Sequence, residues 1–142
     1  MLYRLMAIVM FVVLLPLAVN AGITVYPGAK EDKASEVQAM KVARPGTNVQ
    51  LWTTNASFEK VAAFYRVRYK EYKQPMPISK AMGMQNVKIA FFILDGTPSI
   101  DVSKNWMKVQ HPWYTNVDFS GGSPKLIGYR NITYIEAIQK TH

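Results

Sequence analysis

Apolar positions in the middle of the chain recur with the period of an α-helix. Side chains three and four residues apart share one helix face. Six apolar or aromatic residues follow this spacing: Phe58, Val61, Ala62, Tyr65, Tyr69 and Tyr72. The pattern predicts one long amphipathic helix from Ala56 to Lys73, preceded by capping side chains at 53–55 and ended by Pro75 and Pro77.

Short runs of branched and aromatic residues on either side of this helix predict strands. The densest run, residues 86–94, is too short for an isolated helix and predicts a central, buried strand. Other predicted strands cover residues 23–26, 49–53, 100–109 and 131–138, with a turn at 95–98 and a loop at 111–125. In the last strand four residues share one face: Ile132, Tyr134, Glu136 and Ile138.

Residues 35–43 fit either a helix or a strand. The turn signal at 44–47 and the extended residue types at 49–53 favour a strand, which would form a hairpin with the strand after it. A helix over residues 33–43 is the alternative.

Together these elements predict an α+β fold with two layers, in which one long amphipathic helix packs on a mainly antiparallel sheet. The helix face that carries Phe58, Val61 and Tyr65 would be buried against the strand at 87–94. An antiparallel sheet can leave its second face exposed to water. A ligand would therefore bind on that open face, or in a groove at the edge of the helix.

The N-terminus has the three parts of a secretory signal peptide. A short start with one positive charge, Arg4, precedes an uncharged run at 5–19 and small or modest side chains at Val19 and Ala21. The run is shorter than the roughly 20 apolar residues that cross a bilayer. We therefore predict cleavage after Ala21 and a single mature domain at 22–142, exported to the periplasm or secreted, with a retained membrane anchor as the alternative.

The charge and the cysteine content limit the possible partners. The formal net charge is +8, or +7 without the signal peptide, and there is no cysteine. A basic exported domain attracts anionic partners of the cell envelope, either a ligand or a protein, although solubility alone also explains the charge. Export disfavours nucleic acid, and the lack of cysteine excludes disulfides and thiolate metal sites.

A further indication of location comes from two short motifs. The segment Tyr26-Pro-Gly-Ala29 precedes the residues Thr53, Thr54, Ser57, Val61 and Phe64-Tyr65. These motifs resemble a loose group of exported bacterial proteins with a YPGA strand end and a TTxxSxxxVxxFY-like helix start. That group has no assigned activity, so the resemblance implies the fold and the location and supplies no catalytic residues. It covers about the first third of the mature chain.

Catalytic chemistry has little support in the sequence. The two histidines, His111 and His142, are not paired with further ligands at metal-binding spacing, and neither a nucleophile motif nor a cofactor motif is present. The nine carboxylates are scattered along the chain, and two of them could hydrolyse a glycoside only if the fold brought them within about 5–10 Å. The sequence leaves enzymatic activity open and favours a protein that is not an enzyme, and we expect no metal or cofactor.

Two groups of residues are the candidate binding residues. One is the cationic row Arg66, Lys70 and Lys73 on the outer face of the predicted helix, and the other is an aromatic group: Trp106, His111, Trp113 and Tyr114. A solvated helix face and ordinary packing are the simpler explanations. The leading hypothesis is a small non-catalytic binding or interaction module of the cell envelope, and the alternative is a hydrolase of envelope material. Clustered acids near Trp113 would favour the hydrolase, and a groove lined by tyrosine and lysine would favour binding.

Overall fold

The computed structural model describes residues 23–74, 80, 82–84 and 86–141. The predicted signal peptide lies outside these residues, as do Pro75 and Pro77. The elements in chain order are β1 (Lys30–Glu31), α1 (Lys33–Val42), β2 (Thr47–Thr54), α2 (Phe58–Arg66), β3 (Lys70–Tyr72), β4 (Lys88–Ile93), β5 (Asn105–His111), β6 (Asn116–Asp118), β7 (Lys125–Ile127) and β8 (Thr133–Lys140).

Six of the strands form one antiparallel sheet in the order β1-β2-β8-β5-β4-β3, and β6 pairs with β7 separately. The last strand, β8, lies between β2 and β5. It pairs with β2 over eight residues, from Thr47 opposite Lys140 to Thr54 opposite Thr133. The C-terminal segment therefore joins the two halves of the sheet.

Helix α2 covers one face of this sheet and forms the main core. It is capped by Ser57, whose hydroxyl accepts a hydrogen bond from the backbone N–H of Lys60 at 3.4 Å. Its buried residues pack against the inward side chains of β4, β5 and β8, and the rings of Tyr65 and Phe92 lie 5.8 Å apart. The buried members of this core are Trp52, Val61, Ala62, Tyr65, Ala90, Phe92, Met107, Val109, Ile135 and Ala137.

The prediction of one long helix packed on the sheet is wrong. Helix α2 ends at Arg66, and the second half of the predicted helix forms β3, where Lys70 lies opposite Ile93 of β4. The N–H groups of Arg68 and Tyr69 both bond to the carbonyl of Tyr65, which closes the helix. Backbone pairing with a distant strand outweighed the local helical period. The broad α+β class is retained, with two short helices on a mostly antiparallel sheet.

The burial predicted for the helix face is confirmed for two of its three residues. Val61 and Tyr65 are fully buried. Phe58, at the first position of α2, is only half-buried beside the core. The first turn of the helix reaches the margin of the sheet, where part of the Phe58 ring remains in contact with water.

Residues 33–42 form helix α1, so the preference for a strand at 35–43 is wrong. The Asp32 carboxylate caps this helix by accepting a 3.0 Å hydrogen bond from the Ser35 N–H. Two other strand predictions also fail: residues 23–26 form no strand, and residues 100–102 form a turn, so that β5 begins only at Asn105. The strands predicted at 49–53, 86–94 and 131–138 are confirmed as β2, β4 and β8.

Candidate functional site

A groove lies on the sheet face opposite α2, between α1 and strands β2, β8 and β5. Its wider section has a volume of about 650 Å³, and a narrower section of about 320 Å³ adjoins it. Both sections include Ala39, Val42 and Glu136, which shows that they form one continuous groove. The residue alternation of the strands explains the lining, because Met107 and Val109 enter the core while Lys108 and Gln110 face the groove.

An ion pair occupies the floor of the groove. Lys108 and Glu136 lie directly opposite each other on β5 and β8, and the Lys108 Nζ is 2.6 Å from Glu136 Oε2. Their side chains are 23% and 13% exposed, respectively. Oε2 meets no well-aligned hydrogen-bond donor among the described residues, so the contact is an ionic one. Burial disfavours the ammonium form, but Tyr134 and Glu136 outweigh it and raise the pKa of Lys108 above its ordinary value.

Beside the ion pair, two buried polar side chains bond to each other. The Tyr134 hydroxyl donates to Gln110 Oε1 at 3.1 Å, and Gln110 Nε2 donates to the Pro112 carbonyl at 3.1 Å. Burial raises the pKa of Tyr134 to about 12, so its hydroxyl stays protonated at neutral pH. These bonds fix the position of the floor before any ligand arrives.

An aromatic wall closes one end of the wide section. Trp113 and Tyr114 form this wall, and the backbone of Trp113 pairs with that of Arg130 through bonds of 3.1 and 2.9 Å. The Arg130 guanidinium lies 5.4 Å from the Trp113 ring centroid, and its Nη1 donates to Asp32 Oδ2 at 3.1 Å. Because Asp32 caps α1, Arg130 connects the aromatic wall to the helical wall.

The Asp32 carboxyl group is ionised, which strengthens its bond with Arg130. Burial raises the pKa of the Asp32 carboxyl, but the hydrogen bonds from Ser35 and Arg130 outweigh burial and hold the pKa below its ordinary value. The carboxylate is therefore ionised at neutral pH, both as the cap of α1 and as the partner of Arg130.

The narrow section of the groove is apolar with cations at its rim. Val49, Ile138 and the Trp106 ring are among the residues that line it, and so are the two cations Arg44 and Lys140. Among the described residues, no ion pair involves Arg44 or Lys140. The Trp106 Nε1–H is buried, and no described residue accepts a hydrogen bond from it. This end of the groove therefore carries positive charge that the described carboxylates leave unneutralised.

Three of the four predicted aromatic site residues lie along the groove, namely Trp106, Trp113 and Tyr114. His111 lies on the other face of the sheet, with its Nδ1 3.2 Å from Thr133 Oγ1. Since that hydroxyl donates its hydrogen to the Ala56 carbonyl at 2.7 Å, the His111 Nδ1 must carry the proton in this contact. His111 thus belongs to the α2 side of the molecule.

The predicted cationic row of Arg66, Lys70 and Lys73 does not exist as a helix face. Arg66 Nε lies 2.7 Å and Lys73 Nζ 3.2 Å from the same Glu71 oxygen. Lys70 lies on the other side of β3 from Glu71 and donates to the Pro98 carbonyl at 3.4 Å. The hydrogen bond from Arg66 holds the pKa of Glu71 below its ordinary value. Two of the three cations are therefore already paired with a carboxylate.

Sequence reasoning missed the charged and polar residues of the groove. None of Lys108, Gln110, Arg44 and Lys140 is among the predicted site residues, and Glu136 is predicted only to share a strand face with Tyr134 and Ile138. A usable signal was present for Glu136, because it interrupts an otherwise apolar face of its strand, whereas Lys108 shares its face with the polar Gln110. Their pairing required the register of β5 against β8, which is a tertiary property.

Acidic chemistry is sparse at this site. All nine carboxylate residues fall in the described part of the chain, and Glu136 is the only one that lines the groove. Across residues 23–74, 80, 82–84 and 86–141, no group of three or more metal-binding side chains lies close enough to hold an ion. Within the same residues, no helix has both the length and the apolarity that crossing a bilayer requires.

Comparisons with known proteins add no relative. Neither a family model, nor a curated protein, nor a solved structure matches this chain.

Proposed function

We propose that this protein is a small exported binding module of the cell envelope, without catalysis of its own, whose groove holds an amphipathic anionic ligand. The observation that carries the proposal is the lining of the groove. Apolar and aromatic side chains follow its length, and two cations without carboxylate partners among the described residues, Arg44 and Lys140, stand at one end.

The size and shape of the groove suit a small molecule. Ligand sites are typically concave, mostly apolar and about 300–1,000 Å³ in volume, with a few polar groups that fix orientation. The wide section, at about 650 Å³, falls within this range. Trp113 and Tyr114 offer flat apolar surfaces, while Gln110 and Tyr134 are held rigid by their mutual hydrogen bond.

The charge distribution favours an anion at the narrow end. Lys108 is neutralised by Glu136, so Arg44 and Lys140 dominate the local field. The predicted mature chain adds to this field with a net charge of +7, which is the +8 of the full sequence without Arg4. An acyl or aromatic body along Leu51 and Val49 with an acidic head near Arg44 would satisfy both parts of the groove. Envelope lipids and their breakdown products have this chemistry, which agrees with the predicted export signal.

The hydrolase alternative receives no comparable support. Carboxylate-based hydrolysis of a glycoside needs two acids on either side of the scissile bond. The groove contains Glu136 alone, and that carboxylate is bound to Lys108. The lining of lysine, tyrosine and tryptophan instead matches what we expect of a binding site.

The proposal can be tested with three probes that share one alkyl chain. Dodecanoate, dodecyl maltoside and dodecyltrimethylammonium, each below its micelle concentration, would be titrated into the mature protein by calorimetry. Tryptophan fluorescence gives a second readout, since Trp106 and Trp113 line the groove. We expect dodecanoate to bind most tightly and the cationic probe to bind least, because only the acidic head finds opposite charge.

A matched pair of variants locates the site. Arg44→Gln/Lys140→Gln should weaken dodecanoate binding about tenfold, since charge-assisted contacts contribute roughly 1.5–3 kcal/mol and partial exposure reduces that value. The control Lys41→Gln/Lys60→Gln removes the same charge from residues that do not line the groove. Equal losses in both variants, or equal binding of all three probes, would contradict the proposal.

A further inference from the structure

The outer edge of β2 has the properties of a strand that pairs with other strands. Strand β1 covers only its end, with Lys30 opposite Thr53 and Glu31 opposite Trp52. Along residues 47–51, the outer side of β2 has no neighbouring strand among the described residues, while the inner side pairs with β8. No residue of β2 is charged or a proline. Exposed edges in natural proteins usually carry charges or prolines that prevent pairing with another chain.

Side chains of α1 occupy the hydrogen-bonding positions of this edge. The Leu51 N–H donates to Glu36 Oε2 at 3.4 Å, and the Val49 N–H lies 3.2 Å from Met40 Sδ. The Leu51 carbonyl accepts from the Asp32 N–H at 2.9 Å. Four residues of a helix advance about 6 Å and two residues of a strand about 6.7 Å. Glu36 and Met40 therefore meet successive outward N–H groups of β2, as a neighbouring strand would.

Besides these contacts, α1 is held by Ala39, which packs partly buried against Val49 and Leu51, and by the bond from Arg130 to its cap Asp32. The helix contains no buried residue, and Val37 and Val42 are 55% and 87% exposed. A thioether is a weak acceptor, so the contact at Met40 contributes little. Helices of this length are marginal without tertiary packing. Segments with few buried contacts open at a lower free energy than the sheet that they cover.

We propose that α1 is a displaceable cover of the β2 edge, and that the uncovered edge accepts β2 of a second copy of this chain. The pairing would be antiparallel and centred on Val49, whose outward N–H and C=O would bond to the same groups of its partner. Thr47 would then lie opposite Leu51. Beyond Val49, this pairing would replace two present bonds, from the Thr47 N–H to the Arg44 carbonyl and from the Asp32 N–H to the Leu51 carbonyl. No charge on β2 opposes contact between two identical strands. One continuous sheet would cross the dimer.

Two double variants test the cover. Glu36→Ala/Met40→Ala removes both acceptors and keeps a strong helix former at each position. The matched control Glu36→Gln/Met40→Gln retains an acceptor oxygen at each position. Sedimentation velocity and light scattering over a concentration series would give the mass of each protein. We expect the alanine variant to dimerise at concentrations where the parent and the glutamine variant remain monomeric. An alanine variant that stays monomeric, or a glutamine variant that associates equally, overturns the proposal.

Amide hydrogen exchange shows where any dimer forms. In the alanine variant, the Val49 and Leu51 amides should become protected as the dimer fills, and a dimer that leaves them exchanging freely would use another surface and contradict the proposal.

The parent protein offers a test that does not depend on folding of the variants. Its Val49 and Leu51 amides should exchange at least about tenfold faster than those of Gln50 and Trp52, which face β8. Equal protection of the two pairs would mean that α1 opens only with the sheet, and the proposal would fail.

Discussion

Lys108 Nζ lies 2.6 Å from Glu136 Oε2, and the two residues face each other across β5 and β8 on the floor of the groove. Partly buried ion pairs of this kind seldom add net stability, because desolvation of the two charges offsets their attraction. The pair therefore shapes the groove more than it stabilises the fold.

This view predicts different outcomes for single and double substitutions of the pair. Glu136→Gln leaves the Lys108 charge without a counter-ion and should lower the free energy of unfolding by about 2 kcal/mol, less than at a fully buried site because both side chains keep some exposure. Lys108→Met/Glu136→Leu removes both charges and should stay within about 1 kcal/mol of the parent. Urea unfolding measures both values. A double variant as unstable as the single one would show that the pair is needed for folding.

The core predicts a contrast between two phenylalanines. Phe92 of β4 is fully buried against α2, so Phe92→Ala should cost about 3–5 kcal/mol. Phe58 is half-buried at the start of α2, so Phe58→Ala should lower the free energy of unfolding clearly less than Phe92→Ala does. Urea unfolding compares the two variants, with the same dependence of the unfolding free energy on urea concentration (m-value) applied to both. Equal losses would mean that the first turn of α2 is packed more tightly than its exposure indicates.

Asp95 predicts an acid-dependent loss of stability. Its carboxylate accepts from the backbone N–H groups of Lys104 and Asn105 at 2.7 and 3.1 Å and from the hydroxyls of Thr97 and Ser103 at 2.8 and 3.0 Å. Desolvation raises the pKa of this carboxyl, but these bonds outweigh it and hold the pKa well below its ordinary value.

Because the folded-state pKa of Asp95 is depressed, its contribution to stability is complete above the unfolded pKa of about 4 and is lost as pH falls through the folded pKa. Asp95→Asn should therefore be less stable than the parent at pH 7, and the difference should shrink below about pH 4. Urea midpoints of both proteins at pH 7, 5 and 3 check this. A difference that does not change with pH would place the role of Asp95 outside its charge.

The N-terminal prediction concerns residues outside the described part of the structure. We expect the exported protein to begin at Gly22, because the signal pattern ends with small or modest side chains at Val19 and Ala21. Intact mass of the protein recovered from the periplasm or medium measures this directly. A membrane-associated species that keeps residues 1–21 would instead indicate a retained anchor.

Local sequence patterns predicted the elements whose apolar side chains pack into the core. Residue type and spacing predict three strands, namely β4 with its dense apolar run, β2 and β8. They also predict the buried face of α2 at Val61 and Tyr65. The face of β8 that carries Tyr134, Glu136 and Ile138 was also predictable, because side chains alternate along a strand.

Long-range pairing decided the remaining features. The tyrosine spacing beyond Arg66 continues a helical period, yet residues 70–72 bond to β4 because a sheet edge was available there. Helix α1 depends on the Asp32 cap and on its contacts with the outer edge of β2, and its weak amphipathic pattern predicts neither. The groove arises in the same way, since β8 must enter between β2 and β5 before Glu136 can meet Lys108. The sequence by itself thus determined which residues share a strand face, because side chains alternate along a strand. The tertiary structure decided which strand or helix each face and each edge contacts, because those contacts join segments that are distant in the chain.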